Sequence, residues 1–210
     1  MGEMAAKVCR TAATMTRRKV LRTGLAIGAT VAFPAKVLAF AGEDVIPIYK
    51  VIHDDRFAAS QHFGEEAARL GLHAHAVSDG IHDVWYNDLY RQWRERPLAV
   101  AGMTTHDAMF LLALMGQDAG LRVVFRAHHQ ADGDSVNHTL FGPRETITRL
   151  PELSDKGDRW SREAAHIVAS WPKRAVSRSQ SQSTILAAAN QPLHRDALIT
   201  WVMAPVARPI

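Results

Sequence analysis

The hydrophobic and polar positions of the chain follow two spacings over residues 46–127. Short apolar runs typical of β-strands lie at residues 46–52, 74–77, 98–102 and 121–127. Segments with apolar residues at helical spacing lie between them, at residues 57–70, 81–94 and 108–115. This alternation is the pattern of strands connected by crossover helices. The sequence therefore predicts an α/β fold with an open, mostly parallel sheet of about four βα units.

Two of these strands carry more specific information. Residues 98–102 contain no polar side chain, which predicts a central strand covered on both faces. In residues 121–127, Arg122 and Arg126 alternate with Val123 and Phe125. That alternation predicts an edge strand with one face in water.

Beyond residue 128 the pattern is weaker. Asp132-Gly133 is a favourable two-residue turn between residues 125–130 and 135–141, and it predicts an antiparallel hairpin at one edge of the sheet. A less regular C-terminal segment begins at about residue 144. Its predicted elements are short helices at 144–150 and 161–170, a polar linker at 174–183 and a last strand at 197–203.

The residues before the first strand have the order of an export signal. Thr16-Arg17-Arg18-Lys19-Val20-Leu21 is followed by an uncharged stretch at 23–34 and then by small residues. These residues resemble the twin-arginine (Tat) signal peptide, whose pattern is Ser or Thr, two arginines, any residue, an apolar residue and Leu. The apolar part spans about ten residues, whereas crossing a bilayer takes roughly 20, so no stable membrane anchor is expected.

The resemblance also predicts the processing and the location of the protein. Ala39-Phe40-Ala41 is the small-x-small pattern that a signal peptidase prefers. We therefore expect removal of residues 1–41, which leaves a single α/β domain at 42–210 in the periplasm or outside the cell. The resemblance implies the twin-arginine translocase and signal peptidase as partners and export of a folded chain. An exported oxidoreductase is a further partner that it leaves open.

Removal of residues 1–41 changes the charge and the chemistry of the chain. Those residues hold seven of the 25 basic and one of the 21 acidic residues, which leaves 18 against 20. No nucleic-acid binding is expected of a chain with that balance. The only cysteine, Cys9, is removed too, which excludes thiol-ligated clusters and c-type haem from the mature chain. The cofactor is otherwise unknown.

Several common sites would be visible from their spacing. The sequence contains no Gly-x-x-x-x-Gly-Lys-Ser/Thr phosphate loop, no Gly-x-Gly-x-x-Gly, no Gly-x-Ser-x-Gly and no His-Glu-x-x-His. Standard nucleotide hydrolases, dinucleotide dehydrogenases, serine esterases and zinc proteases of that type are therefore disfavoured.

Polar residues at the strand ends form the predicted site, because ligands of an open parallel sheet bind beyond the carboxyl ends of its strands. Gly102-Met103-Thr104-Thr105 is the main candidate, as a turn whose glycine and free helix-start amides would approach an anion. The alternative for Asp55, Asp79 and Thr105 is a helix-capping role. The candidate ligand-binding residues are Asp54, Arg56, Ser78, Asp79, Gly102, Thr104, Thr105 and His106.

Histidines carry the predicted catalytic and metal chemistry. The candidate bases or ligands are Asp54, His106, His128 and His129. In the predicted hairpin His129 and His138 lie diagonally across from each other, about 7 Å apart, within reach of a shared metal or an acid–base role. A third ligand would come from Asp54, His106 or Asp134. The alternative is a polar hairpin with exposed imidazoles.

Two functions are compatible with this pattern. The first is a periplasmic protein that binds a small polar or anionic ligand, or that acts as an accessory to an exported oxidoreductase system. The second is a periplasmic hydrolase or lyase, metal-assisted or not, that uses Asp and His residues at the strand ends.

Overall fold

A computed structural model describes residues 47–133, 135–154, 159–171, 181–188 and 197–206. Its strands are β1 (Ile48–Asp54), β2 (Ala74–Val77), β3 (Ala99–Thr105), β4 (Leu121–Asp132), β5 (Ser135–Gly142), β6 (Ser181–Ala188) and β7 (Leu198–Pro205). Its helices are α1 (Ala58–Arg69), α2 (His82–Val84), a π-helical segment (Trp85–Leu89), α3 (Tyr90–Glu95), α4 (His106–Asp118), α5 (Arg144–Ile147), α6 (Leu150–Ser154) and α7 (Trp160–Ala169). The predicted α/β class is confirmed.

The seven strands form one sheet in the order β2-β1-β3-β7-β4-β5-β6. β1 pairs in parallel with β2 and β3, and the other four pairings are antiparallel. The prediction of a mostly parallel sheet is therefore wrong. β1 to β4 do run in the same direction, but β7 lies between β3 and β4 and runs against both.

The apolar character of β7 explains its central position. Residues 198–204 of this strand are buried without interruption. A strand that is apolar on both faces is stable only where helices cover both, as they do at the centre of this sheet. The prediction of a last strand at 197–203 is confirmed, but its place between β3 and β4 was not foreseen.

β4 is an interior strand, so the prediction of an edge strand is wrong. It pairs with β7 on one side and with β5 on the other. The alternation of exposed Arg126 with buried Ala127 does reflect one wet face. An interior strand of an antiparallel sheet can have such a face, since exposure depends on the helices above it as well as on its neighbours.

The predicted hairpin between β4 and β5 is confirmed, although its turn lies one residue further along the chain, which moves the partner of each β4 residue by two. Asp132 pairs with Ser135, so Asp132 belongs to the strand and Gly133, at φ +59°, lies in the turn. As a result His129 lies directly opposite His138 and not diagonally across from it. Asp134, one predicted third ligand, lies outside the described residues.

Helices cover the two faces of the sheet unequally. α1 and α7 pack on the first face, with Phe63, Trp160 and Ile167 in its core, and α5 and α6 extend that cover over β5. On the second face α4 and residues 82–95 pack against Trp201 and neighbouring apolar residues. The second face of β4 and β5 beyond α4 carries only exposed or half-buried side chains.

The remaining predicted elements have a mixed outcome. The helices expected at 57–70, 81–94, 108–115 and 161–170 are present, the second of them with a π-helical segment inside it. The predicted linker at 174–183 is described only from residue 181, where β6 begins. The predicted signal at 1–41 lies outside the described residues. None of the helices within the described ranges is long and apolar enough to span a membrane.

Candidate functional site

Asp54 and Arg56 lie together at the end of β1, but they bind each other. The guanidinium of Arg56 donates from Nε to Asp54 Oδ1 at 2.9 Å and from a terminal nitrogen to Oδ2 at 2.6 Å. Asp54 is 2% exposed, and its backbone amide donates to Ser60 Oγ at 2.8 Å. Both carboxylate oxygens are thus already paired with a cation, which disfavours Asp54 as a base.

The segment Gly102 to Thr105 is not a turn, because β3 continues through Thr105. A Cβ on Gly102 would lie 2.7 Å from Cζ2 of Trp201 and closer still to the carbonyl oxygen of Ile52. Thr104 is fully buried, and its Oγ1 accepts the Trp201 indole N–H at 3.0 Å. The glycine and the threonine therefore make room for Trp201 and satisfy its indole, and the prediction that these residues form a turn is wrong.

Ser78 and Asp79 are exposed after the edge strand β2. Since β1 lies between β2 and β3, and neighbouring strands are about 4.8 Å apart, their strand is roughly 10 Å from β3. The insertion of β7 separates β3 from β4 by a similar distance. The residues after β4 therefore lie further from those after β3 than they would in neighbouring parallel strands.

His129 and His138 meet on the first face of the sheet, beneath Trp160. Their Nδ1 atoms are 2.7 Å apart, and His129 Nε2 is 2.9 Å from Thr200 Oγ1. The Trp160 ring centroid is 4.4 Å from that of His129 and 5.0 Å from that of His138. Both imidazoles are fully buried. Burial lowers the pKa of both rings, that of His138 to about 4.

This geometry fits a hydrogen-bonded neutral pair better than a metal site. Two nitrogens bound to one tetrahedral zinc ion would be about 3.3 Å apart, whereas 2.7 Å is a hydrogen-bond distance. One ring must donate its Nδ1 proton and the other must accept it, so the two are opposite tautomers. Among the described residues, no three His, Cys, Asp or Glu side chains are arranged to hold a metal ion.

His106 and His128 both belong to the second side of the sheet, which α4 covers. His106 begins α4, and His128 lies on β4 within electrostatic range of it. Adjacent residues of a strand point to opposite faces, so His128 is separated from buried His129 by the sheet itself. His128 is half-buried, and its Nε2 is buried from solvent without a hydrogen-bond partner among the described residues.

Three further residues join these histidines. Arg126 lies directly opposite Phe141, and its guanidinium carbon is 4.5 Å from the Phe141 ring centroid. The Phe141 and His128 ring centroids are 5.5 Å apart, edge to face. One turn into α4, the Phe110 ring is nearly parallel to that of His106, with centroids 6.1 Å apart. We call His106, Phe110, Arg126, His128 and Phe141 the open-face cluster.

The electrostatics of the open-face cluster follow from partial burial. Burial lowers the pKa of His128, and the positive charge of Arg126 and the nearby His106 lower it further. His128 is therefore neutral at pH 7 and can accept or donate one hydrogen bond. His106 is exposed, and its Nδ1 is 3.7 Å from the carboxylate of Asp107. Arg126 is exposed and forms no ion pair within the described ranges.

The sequence identified both histidines of this cluster but not its other members. Arg126 was recognised only as part of an alternating strand, and Phe110 and Phe141 only as apolar positions. The hairpin could have indicated the pair of Arg126 and Phe141, since its correct register places them opposite each other. No local signal relates α4 to β4, because that contact depends on the order of the strands.

No protein-family model matches the chain, and neither the curated proteins nor the solved structures include a match to it.

Proposed function

We propose that the chain is an exported binding protein that takes a small anionic ligand at the open-face cluster. One observation carries the proposal: on the half-exposed second face of the sheet the guanidinium of Arg126 lies against the Phe141 ring, and His128 packs on the same ring within electrostatic range of Arg126 and His106. Binding sites commonly combine aromatic walls with a few converging polar groups. A guanidinium and two imidazoles are groups that hold a carboxylate or a phosphate.

The other sequence candidates offer less support for an enzyme. Asp54 is occupied by Arg56, Thr104 by Trp201, and His129 by His138. A hydrolase or lyase remains the second candidate because His128 is neutral at pH 7, although its buried Nε2 would have to become accessible to a substrate before it could act as a general base. In that case the open-face cluster would be the active site.

Export by the twin-arginine route is part of the proposal, as is a role beside an exported oxidoreductase. Its support is the Thr16 to Leu21 pattern, the apolar stretch after it and the small-x-small residues at 39–41. Replacement of Arg17 and Arg18 by lysine should abolish export of the full chain. Export of that variant at the parent level would contradict the twin-arginine route.

The binding site is tested with the histidine resonances of the protein. We expect titration with acetate, benzoate and inorganic phosphate to shift the Cε1–H signals of His106 and His128 with at least one of the three anions. His82 is exposed on α2 and serves as the internal control. Substitution of Arg126→Gln should remove the shift. An unchanged pair of signals with all three anions, or an equal shift of His82, would contradict the proposed site.

Binding and catalysis are distinguished by turnover. If the protein only binds, the anion, or an ester of that anion added in its place, should be recovered chemically unchanged after prolonged incubation. If the bound ligand is instead cleaved, and His128→Ala reduces kcat by about 100-fold or more with little change in KM, the enzyme is the correct interpretation.

A further inference from the structure

We infer that two copies of this chain associate through the outer surface of the helices on the second face of the sheet, with α4 of each copy packed against α3 of the other. This inference goes beyond the proposed function, which is carried by Arg126, His128 and Phe141 of the sheet. Phe110 of the open-face cluster belongs to this helical surface as well, so the two sites would adjoin.

Large apolar side chains are concentrated on this surface. Tyr86 is 71% exposed, and Phe110 and Leu114 are each 53% exposed. Apart from Val206, every exposed large apolar side chain of the described residues lies here. An apolar patch of this kind is typical of a protein–protein interface, where tyrosine is enriched. We call this surface the helix-pair face; its apolar members are Tyr86, Tyr90, Phe110, Leu111 and Leu114.

The two helical segments of the helix-pair face lie side by side and run in the same direction. Residues 82–95 connect β2 to β3 and α4 connects β3 to β4, and these three strands are all oriented alike, so each segment returns against the strands. A Cβ on Gly116 would lie 3.3 Å from Cζ3 of Trp93, so the helices touch near their carboxyl ends. Because Arg94 follows Trp93 by one residue and Asp118 follows Gly116 by two, they lie at about the same level along the helices.

The two helices carry opposite charges. α4 contains Asp107 and Asp118 and no lysine or arginine. Residues 90–96 contain three arginines and one glutamate, all of them exposed. Tyr90 holds Arg94 in place, since Arg94 Nη1 donates to the Tyr90 hydroxyl at 3.0 Å and the guanidinium carbon is 5.4 Å from the ring centroid. A side chain that is already ordered loses less entropy when a partner binds.

A twofold dimer can bring two helix-pair faces together in two ways. If the axis lies across the helices, each helix meets its own copy in antiparallel orientation, so acidic α4 faces acidic α4 and arginines face arginines. If the axis runs along the helices, Asp118 lies opposite Arg94 of the partner subunit. Leu114 then packs one turn away, near Tyr90 of the partner subunit. Unlike charges meet only in this second arrangement, which the charge pattern therefore favours.

Sedimentation equilibrium of the purified full chain tests the association. We expect a reversible dimer with a dissociation constant of roughly 1 to 100 µM, as for a small interface. Leu114→Lys puts a charge inside the helix-pair face and should weaken the dimer at least about tenfold. Val206→Lys is the matched control, because it changes an exposed apolar side chain outside this face, and it should leave the dissociation constant unchanged.

A charge exchange tests how the helices pair. Asp118→Arg should weaken the dimer about tenfold, since symmetry places two arginines opposite each other twice in the interface. Arg94→Asp should weaken it similarly, and the double variant should return to within about threefold of the parent. If each helix met its own copy, Asp118→Arg would instead remove a repulsion between acids and strengthen the dimer.

A parent chain that sediments as a monomer at about 200 µM would overturn the inference. So would a dimer that Leu114→Lys does not weaken, or one that Asp118→Arg leaves unchanged or strengthens, in variants whose circular dichroism shows them to be folded. The proposed function has a separate readout, because Leu114 and Asp118 lie outside the open-face cluster. Without a dimer it still stands if anions shift the His128 signal, whereas a dimer whose His128 signal no anion shifts would contradict the proposed function alone.

Discussion

His129 on β4 lies directly opposite His138 on β5, and their Nδ1 atoms are 2.7 Å apart. Both rings are buried beneath Trp160, in an environment that lowers their pKa. A hydrogen bond between two ring nitrogens needs a proton on one ring and none on the other. Protonation of both rings would abolish this hydrogen bond, and burial disfavours a charge on either ring, so the pair is most stable while both rings are neutral.

This pair predicts a loss of stability in mild acid. In the unfolded chain both histidines take up a proton below about pH 6.5, whereas in the folded chain burial lowers the pKa of His138 to about 4 and that of His129 well below its usual value. The unfolded state thus binds more protons, and stability falls as the pH falls. Between pH 7 and pH 5 the pair should reduce the free energy of unfolding by roughly 3 kcal/mol, measured by urea denaturation.

The variant His138→Gln isolates this contribution because it removes one of the two titrating rings. It should remove roughly half of the difference in unfolding free energy between pH 7 and pH 5. The control His82→Gln changes an exposed histidine and should leave that free-energy difference unchanged. Burial also lowers the pKa of half-buried His53, His75 and His128, so these residues add to the pH dependence of stability. They are present in both the parent and the variant and do not change the difference between the two proteins. Parent stability that is equal at pH 7 and pH 5 would show that the buried pair is charged.

Gly102→Ala should destabilise the protein by about 3 kcal/mol or more, measured by thermal or urea unfolding. The new Cβ would collide with the Ile52 carbonyl and the Trp201 ring, and a strand backbone cannot move away cheaply. Gly116→Ala is the control, because its Cβ would have 3.3 Å to Leu121 and Trp93 and would gain helix propensity. A smaller loss for Gly102→Ala than for Gly116→Ala would contradict this packing.

Position 64 should require glycine because the His53 ring occupies the space beside it. A Cβ on Gly64 would lie 2.6 Å from His53 Nε2 and closer to Cδ2, so the imidazole occupies the space that an alanine needs. We expect Gly64→Ala to be destabilising in the parent. In a His53→Ala background it should stabilise by up to about 1 kcal/mol, because alanine favours a helix interior. A double-mutant cycle with no coupling between the two positions would refute the contact.

Thr104→Val should cost about 1 to 3 kcal/mol of unfolding free energy, because it leaves the buried indole N–H of Trp201 without its acceptor. Thr104→Ser keeps the hydroxyl and should retain most of the stability. The difference between the two variants in urea denaturation measures the hydrogen bond. Equal stability of the serine and valine variants would mean that the hydroxyl contributes nothing.

Much of the local structure was predictable because it depends on neighbours in the sequence. Apolar runs and helical spacing correctly predicted β1 to β5, β7 and the longer helices. The turn expected at Gly102–Thr105 and the exact hairpin register were wrong locally, but the wrong predictions about the sheet concern relations between distant segments. β7 pairs with strands that precede it by some 70 to 100 residues, and no local pattern of β3 or β4 encodes that partner.

By itself the sequence determined the elements, the hairpin and the candidate histidines, since side-chain spacing and turn chemistry act over a few residues. Only the tertiary structure decided which of those histidines share a site. β7 is buried on both faces and therefore lies between β3 and β4. Because side chains alternate along β4, His128 lies on the same side of the sheet as His106, within its electrostatic range, and His129 lies on the other side, against His138. Strand order is set by the burial of whole faces, which is a property of the packed sheet and not of any one segment.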